Sequence, residues 1–179
     1  IIKAHGGDIE VKSRPGEGAR PNILLIIMDT ARGDRFPWSG YARPTAPNLE
    51  AIAREGAIYT QAFSPAPWTV PAHASLFTGQ YPSLHRTDCG SLRLPDRMVT
   101  LAETLHAAGY RTIGYTANPW IGREYNFQQG FDTYGETWRL VSQESEDTGA
   151  ALTNEKVLRW LEWRAGNADA RREPFFLFI

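Results

Sequence analysis

The sequence predicts a layered α/β domain with a largely parallel central sheet flanked by helices. The first observation is an apolar run, Ile23-Leu24-Leu25-Ile26-Ile27-Met28, bounded by Pro21 and Asp29. A continuous run of this kind reads as a strand buried on both faces of a parallel sheet. The second is the alternation that follows, in which strand-like and helix-like stretches succeed one another along the chain. The third is size: 179 residues, 42% of them apolar, suffice for one core. Nothing repeats at a fixed period, which sets solenoids and propellers aside.

Residues 1–19 give a helix end closed by Gly6-Gly7, an alternating strand from Asp8 to Ser13 and a Pro15-Gly16 turn. After the Asp29 strand, a polar loop leads into an amphipathic helix. Leu49, Ile52 and Ala53 share one face of it, and Gly56 ends it. Ala57 to Phe63 reads as a second strand. The stretch Pro67-Trp-Thr-Val-Pro-Ala-His-Ala-Ser-Leu-Phe-Thr-Gly79 forms the next helix, opened around Pro71 and closed by Gly79. Thr100 to Ala108 is a helix with Leu101, Leu105 and Ala108 on one face. Gly109 caps it, and Tyr110 to Ala117 follows as a strand. Gly149 to Arg164 is a further helix, and Phe175 to Ile179 a core strand.

Composition excludes more than it assigns. The formal net charge is −1, which leaves no electrostatic footprint for nucleic acid or an anionic membrane surface. No apolar run approaches membrane-spanning length. One cysteine, Cys89, excludes an internal disulfide and leaves the compartment open. The chain starts at Ile1 without Met and ends within an apolar run, so it reads as a fragment at both ends.

The candidate chemistry lies where elements end. Thr69 stands at or just before the N-cap of the Pro71 helix, beside unpaired backbone N–H groups and the positive end of the helix dipole. Such a place attracts an anionic ester. Asp29 closes the first strand, at the carboxyl end where ligands of parallel sheets bind. His73 lies one helical turn past Thr69. Asn118 follows a strand beside Pro119-Trp120, and His85 follows the Thr69 helix. Trp68 and Trp120 flank this region. His106 reads as a helix-surface residue.

Two of these stretches, in order and about forty residues apart, carry a resemblance. Arg20-Pro-Asn-Ile-Leu-Leu-Ile-Ile-Met-Asp-Thr30 and Pro67 to Gly79, with Gln80-Tyr81-Pro82 after it, resemble the sulfatase family of the alkaline phosphatase superfamily. Residues 20–179 would be the N-terminal part of such a domain, with an alkaline-phosphatase-like (sulfatase-like) layered fold truncated at the C-terminus. The resemblance implies a metal-dependent ester hydrolase. Thr69 holds the nucleophile position, and Asp29 and Thr69 each ligate one of two divalent ions, Zn, Mn or Ca. His73, near the nucleophile, is expected to contact the substrate oxyanion or stabilise the leaving group. His85 matches a histidine common after the family's helix, and Asn118 follows a strand at the proposed pocket; both are expected to contact the small phosphate or sulfate ester. The remaining ligands of the family are expected beyond the position of Ile179. Asp29 and Thr69 alone cannot hold two ions tightly, so this chain by itself is expected to be inactive. Its sheet would also leave Phe175 to Ile179 as an unpaired apolar edge.

Departures from the family pattern favour phosphate over sulfate. Sulfatases mature a Cys or Ser into formylglycine at the position of Thr69, and threonine does not enter that route. His73 stands where sulfatases carry Arg. Asp29-Thr30 replaces Asp-Asp, and Gly114-Tyr-Thr-Ala-Asn118 replaces a Gly-Lys-Trp-His segment. Residues 1–19 resemble the closing piece of a histidine kinase ATP-binding domain, without that domain's Asn-bearing helix or Asp-x-Gly-x-Gly loop. Two alternatives to the phosphate reading therefore stand: a sulfuric ester hydrolase, and a non-catalytic sulfatase-like appendage of a sensor kinase.

Overall fold

The computed structural model describes residues 20–141 and 149–179. The sequence reading of residues 1–19 lies outside the described residues. Four strands, β1 (Ile23–Leu25), β2 (Arg111–Thr116), β3 (Thr133–Glu136) and β4 (Phe175–Phe178), form one sheet in the order β1-β4-β2-β3. Every pairing is parallel. The helices are α1 (Pro47–Glu55), α2 (Thr69–Thr78), α3 (Pro82–His85), α4 (Leu101–Ala107), α5 (Ala150–Gly166) and α6 (Ala168–Arg172).

β4 is the strand whose place the sequence misstates. It is not an unpaired edge: it lies between β1 and β2, with all four residues buried. Ile23 pairs with Phe176 and Leu25 with Phe178, while on the other side Thr112 pairs with Phe176. Asn22 fastens the entry, its Oδ1 accepting the Phe175 amide at 3.2 Å. An all-apolar strand belongs in the middle of a parallel sheet, because both of its faces are covered there. The edges among the described residues are β1 and β3.

β1 itself is covered on one face only. Ile23, Leu25 and Ile27 enter the core with Val70, Ala74, Phe77, Phe176 and Phe178. Leu24, Ile26 and Met28, on the alternate face, are exposed. The reason is the placement of α5. That helix packs Val157, Trp160 and Leu161 over Ile113, Phe175 and Leu177, which lie on β2 and β4. The expected strand at Ala57 to Phe63 is absent as well. The segment is turn and irregular, with Ile58, Tyr59 and Phe63 exposed. Its β-branched and aromatic residues suit a half-buried pleated surface, and without a neighbouring strand they have none.

Two glycines let β2 and β3 pack closely. Gly114 is in register with Tyr134, and Tyr115 with Gly135. A Cβ on Gly114 would come within 2.7 Å of the Tyr134 ring, and one on Gly135 within 2.6 Å of the Tyr115 ring. Each tyrosine therefore lies across the glycine of the adjacent strand. On the core side, Phe131 stacks on Phe176 at 5.7 Å between ring centroids, and Phe77 meets Phe178 edge-on at 5.0 Å.

α4 begins with a capping box. Thr100 Oγ1 accepts the Glu103 amide at 3.1 Å, and Glu103 Oε2 accepts the Thr100 amide at 2.8 Å. The Thr100 hydroxyl also donates to the Gln129 carbonyl at 3.0 Å, which joins the helix to the loop before β3. Thr100→Ala removes both links, and a lost N-cap costs about 1–2 kcal/mol. Urea unfolding of the variant is expected to show a midpoint lowered by that free energy divided by the denaturant slope, with the slope itself unchanged. An unchanged midpoint would contradict the capping role.

Candidate active site

The carboxyl edge of the sheet gathers three of the residues singled out from sequence. Hydrogen bonding continues past β1, where Ile179 donates to the Leu25 carbonyl and Ile27 to the Ile179 carbonyl. Asp29 follows at the end of this pairing. Its Oδ2 accepts the Thr69 hydroxyl at 3.0 Å and the Asn118 side-chain amide at 2.5 Å. Its Oδ1 accepts the Thr30 amide at 3.0 Å. Both carboxylate oxygens are thus fixed. Thr30 makes its bond with φ at 60°, in the left-handed region that β-branched residues rarely enter. Such local strain gathers at functional sites, where the surrounding structure holds it in place.

Thr69 is the first residue of α2, one place inside the expected cap, and Trp68 is the N-cap. Trp68 offers no side-chain cap, so the first amides of α2 keep their capacity to meet an anion. Pro71 is third in the helix, where its missing N–H leaves no intrahelical bond unmade. Gly79 ends α2 in the left-handed conformation, φ 65°, its amide donating to the Ser75 carbonyl. Asn118 caps the short helical turn Pro119–Ile121. Its Oδ1 accepts the Trp120 amide at 2.9 Å, which turns its NH₂ group toward Asp29.

His73 is only 5% exposed, so it is not a solvent-facing helix histidine. Its Nδ1 donates to the Thr69 carbonyl at 2.8 Å, which places the Nδ1 proton and ties the imidazole to the backbone of Thr69. Phe127 meets the ring edge-on. His85 does not join this group. It is fully buried, and Thr87 N–H donates to its Nδ1 at 3.0 Å. Nε2 therefore carries the hydrogen, and Ser75 Oγ lies 2.9 Å from it. His85 locks α3 against α2 and offers no surface to a substrate. His106, as expected, is a surface residue, 3.1 Å from Asp132.

The aromatic residues of the site extend past the pair named from sequence. Trp68 meets Trp120 edge-on at 6.3 Å, and Trp120 stacks on Tyr125 at 5.7 Å. Tyr125 is not marked in the sequence, and Thr30 only as a departure from the family's Asp-Asp. The one depends on the fold of the loop after Asn118, and the other on a backbone angle that threonine does not advertise. Asp29 and Thr69 supply oxygen donors suited to a hard divalent cation. Among the described residues, however, no group of three or more His, Cys, Asp or Glu side chains is gathered for a metal ion.

A sequence model of the sulfatase family matches residues 21–179, which is nearly the whole chain. The chain belongs to the sulfatase family. The ulvan-active sulfatase of Formosa agariphila is 31% identical over 69% of this chain and 25% of its own length. The choline-sulfatase of Rhizobium meliloti is 36% identical over 52% of this chain and 18% of its own length. Among solved structures, the phosphonate monoester hydrolase of Agrobacterium radiobacter superposes with a TM-score of 0.69 at 24% identity, over 89% of this chain and 40% of that one. The C-terminal periplasmic domain of EcEptC from Escherichia coli, in complex with Zn, gives 0.63 at 16% over 93% and 44%. These superpositions establish the alkaline-phosphatase-like fold. The chain spans a quarter or less of those two curated relatives.

His85 also sets a pH limit on stability. Burial pushes its imidazole below the ordinary value of about 6.5, more than Asp88 and the Pro71 carbonyl raise it. The unfolded chain then takes up the proton first, so stability is constant above neutrality and falls as pH drops below about 6.5. Thermal melts between pH 8 and 5 are expected to show this decline. His85→Gln, which can accept from Thr87 and donate to Ser75, should flatten it while lowering the melting temperature throughout. An equal slope in both proteins would assign the decline to other groups.

Proposed function

We propose that residues 20–179 carry the nucleophile half of a metal-dependent hydrolase in which Thr69 forms a covalent ester intermediate, with phosphate esters favoured over sulfate. The observation that carries this reading is the Thr69 hydroxyl at 3.0 Å from Asp29 Oδ2, at the start of α2. A threonine hydroxyl is a weak nucleophile near neutral pH and needs an acceptor for its proton. Along the hydrogen bond described, that acceptor is Asp29. The Thr69 oxygen attacks phosphorus, the Thr–O–P bond forms, and the alcohol departs with the electron pair of the broken ester bond. Water then attacks the phosphothreonine and returns the hydroxyl. The α2 amides face the charge of the transferred group, and His73 holds the turn that carries Thr69.

Asp29 and Thr69 are the residues that would hold a divalent ion here. Bound there, such an ion supplies charge neutralisation and a lowered hydroxyl pKa. Catalytic metal sites use three or more protein ligands as a rule, which these two residues do not meet. The chain by itself is therefore expected not to turn over aryl phosphates or sulfates with Mn²⁺, Zn²⁺ or Ca²⁺ present. Metal-dependent turnover by residues 1–179 that disappears in Thr69→Ala would refute that expectation.

The preference for phosphate rests on threonine chemistry. A sulfated threonine has no second hydroxyl on the same carbon, so the elimination that frees a formylglycine hydrate is closed to it. The names of the relatives favour the second reading, a sulfuric ester hydrolase, since several are sulfatases. Matched p-nitrophenyl phosphate and sulfate separate the two in a full-length protein that contains this chain. Thr69→Ala should lower kcat/KM by about 10³-fold or more, and Thr69→Ser should retain much of it. A higher kcat/KM on the sulfate, lost in Thr69→Ala, would keep the nucleophile and replace the substrate.

A further inference from the structure

Every polar group of Asn118 has a partner, and one of those bonds points at the site. Its backbone N–H donates to Thr116 Oγ1 at 3.0 Å, and its carbonyl accepts the same hydroxyl at 3.1 Å. Thr116 is the last residue of β2 and is buried. The Thr116 carbonyl in turn accepts the Thr137 hydroxyl at 3.1 Å, and the hydroxyls of Thr137 and Thr153 lie 2.7 Å apart. Strand β2, the short helical turn Thr137–Leu140 and helix α5 are thus joined behind Asn118 by buried hydroxyls. Ahead of it, Oδ1 accepts the Trp120 amide and the NH₂ group donates to Asp29 Oδ2. A side-chain amide bonded at both ends, on a backbone pinned at both of its polar atoms, has one orientation.

Asp29 needs such a neighbour. The outer torsion of an aspartate is broad, so the alignment of Oδ2 with the Thr69 hydroxyl depends on the other bonds of the carboxylate. The Thr30 amide belongs to the next residue and moves with Asp29. Asn118 instead carries the rigidity of β2 to the carboxylate. Its amide is also neutral, so Asp29 keeps its full negative charge for the Thr69 proton or a cation, where a lysine or arginine would offset it. From sequence, Asn118 is expected to contact the ester. We propose that it is a positioning residue acting through Asp29: it holds Oδ2 toward the Thr69 hydroxyl and does not bind the substrate. Only the second N–H of its amide is left for any further contact. The inference rests on the hydrolase reading above and adds to it the role of this side chain.

The test uses a full-length protein that contains this chain, with whichever of p-nitrophenyl phosphate and sulfate the wild type turns over faster, and with Mn²⁺ alone as a second probe. Removing the hydrogen-bond partner of a ligating side chain costs about 10- to 100-fold in activity or metal affinity. Asn118→Leu is expected to lower kcat by about that factor with KM unchanged. It should also weaken Mn²⁺ binding to the substrate-free protein, read by titration calorimetry, which a residue that touches only substrate would not do. Asn118→Asp keeps an oxygen to cap Pro119–Ile121 and removes the N–H directed at Asp29, so kcat should fall here too while the turn stays capped. Circular dichroism would establish that each variant folds, and Asn118→Asp carries the test if Asn118→Leu does not. Unchanged kcat in either folded variant, a raised KM, or wild-type Mn²⁺ affinity in Asn118→Leu overturns the role through Asp29 while leaving the hydrolase reading in place. Absence of turnover of both esters by the wild-type protein overturns the hydrolase reading and this inference together.

Discussion

The carboxylate of Asp29 is the point through which the distant parts of this chain communicate. Its two oxygens take hydrogen bonds from Thr30, from Thr69 forty residues on and from Asn118 eighty-nine residues on. Each donor comes from a different place in the fold: the turn after β1, the first residue of α2, and the turn after β2. A half-buried carboxylate with both oxygens occupied has one orientation, and so do its three partners. The start of α2, the turn that carries Trp120 and the backbone strain at Thr30 all follow from that shared acceptor.

What lets these elements meet is the parallel sheet. Parallel strands deliver their carboxyl ends to one edge, so residues after β1 and β2 face the same side although much of the chain lies between them. β1 and β2 are not neighbours, however. β4 separates them, and its four buried residues fill both faces of the sheet centre. Phe176 and Phe178 pack with Phe77 and Phe131 on one side, and Phe175 and Leu177 with α5 on the other. The hydrophobic core therefore sets the spacing across which Asn118 reaches Asp29.

Much of this was legible in residue order. An apolar run ending at Asp29, a proline-led helix beginning at Thr69 and a strand leading to Asn118 are local signals, and the structure brings all three residues together. The illegible parts are non-local. Nothing in Phe175-Phe-Leu-Phe178 states which strands it will separate, because an all-apolar strand suits any covered position in a parallel sheet. Ala57 to Phe63 has the composition of a strand and, among the described residues, lacks a neighbour to pair with. His85 stands where a family motif places a histidine, but its neutral Nδ1 and complete burial make it a bolt between α2 and α3. Sequence spacing places a residue near a site; only packing decides which way its ring faces.

The same topology dictates an order of assembly. α2, α3 and the capped α4 rest on local contacts, and such contacts form early because they close short loops. β1 is different, since among the described residues its hydrogen-bonded neighbour is β4, and Asn22 meets the Phe175 amide across 153 positions of sequence. Closing so long a loop costs entropy that the apolar strand must offset when it enters the sheet. Until β4 is in place, β1 has no ladder to hold it, and Asp29 is not fixed against Thr69 and Asn118. The site's geometry therefore requires β4 in place beside β1. Its geometry depends on the burial of four apolar residues that never touch the chemistry.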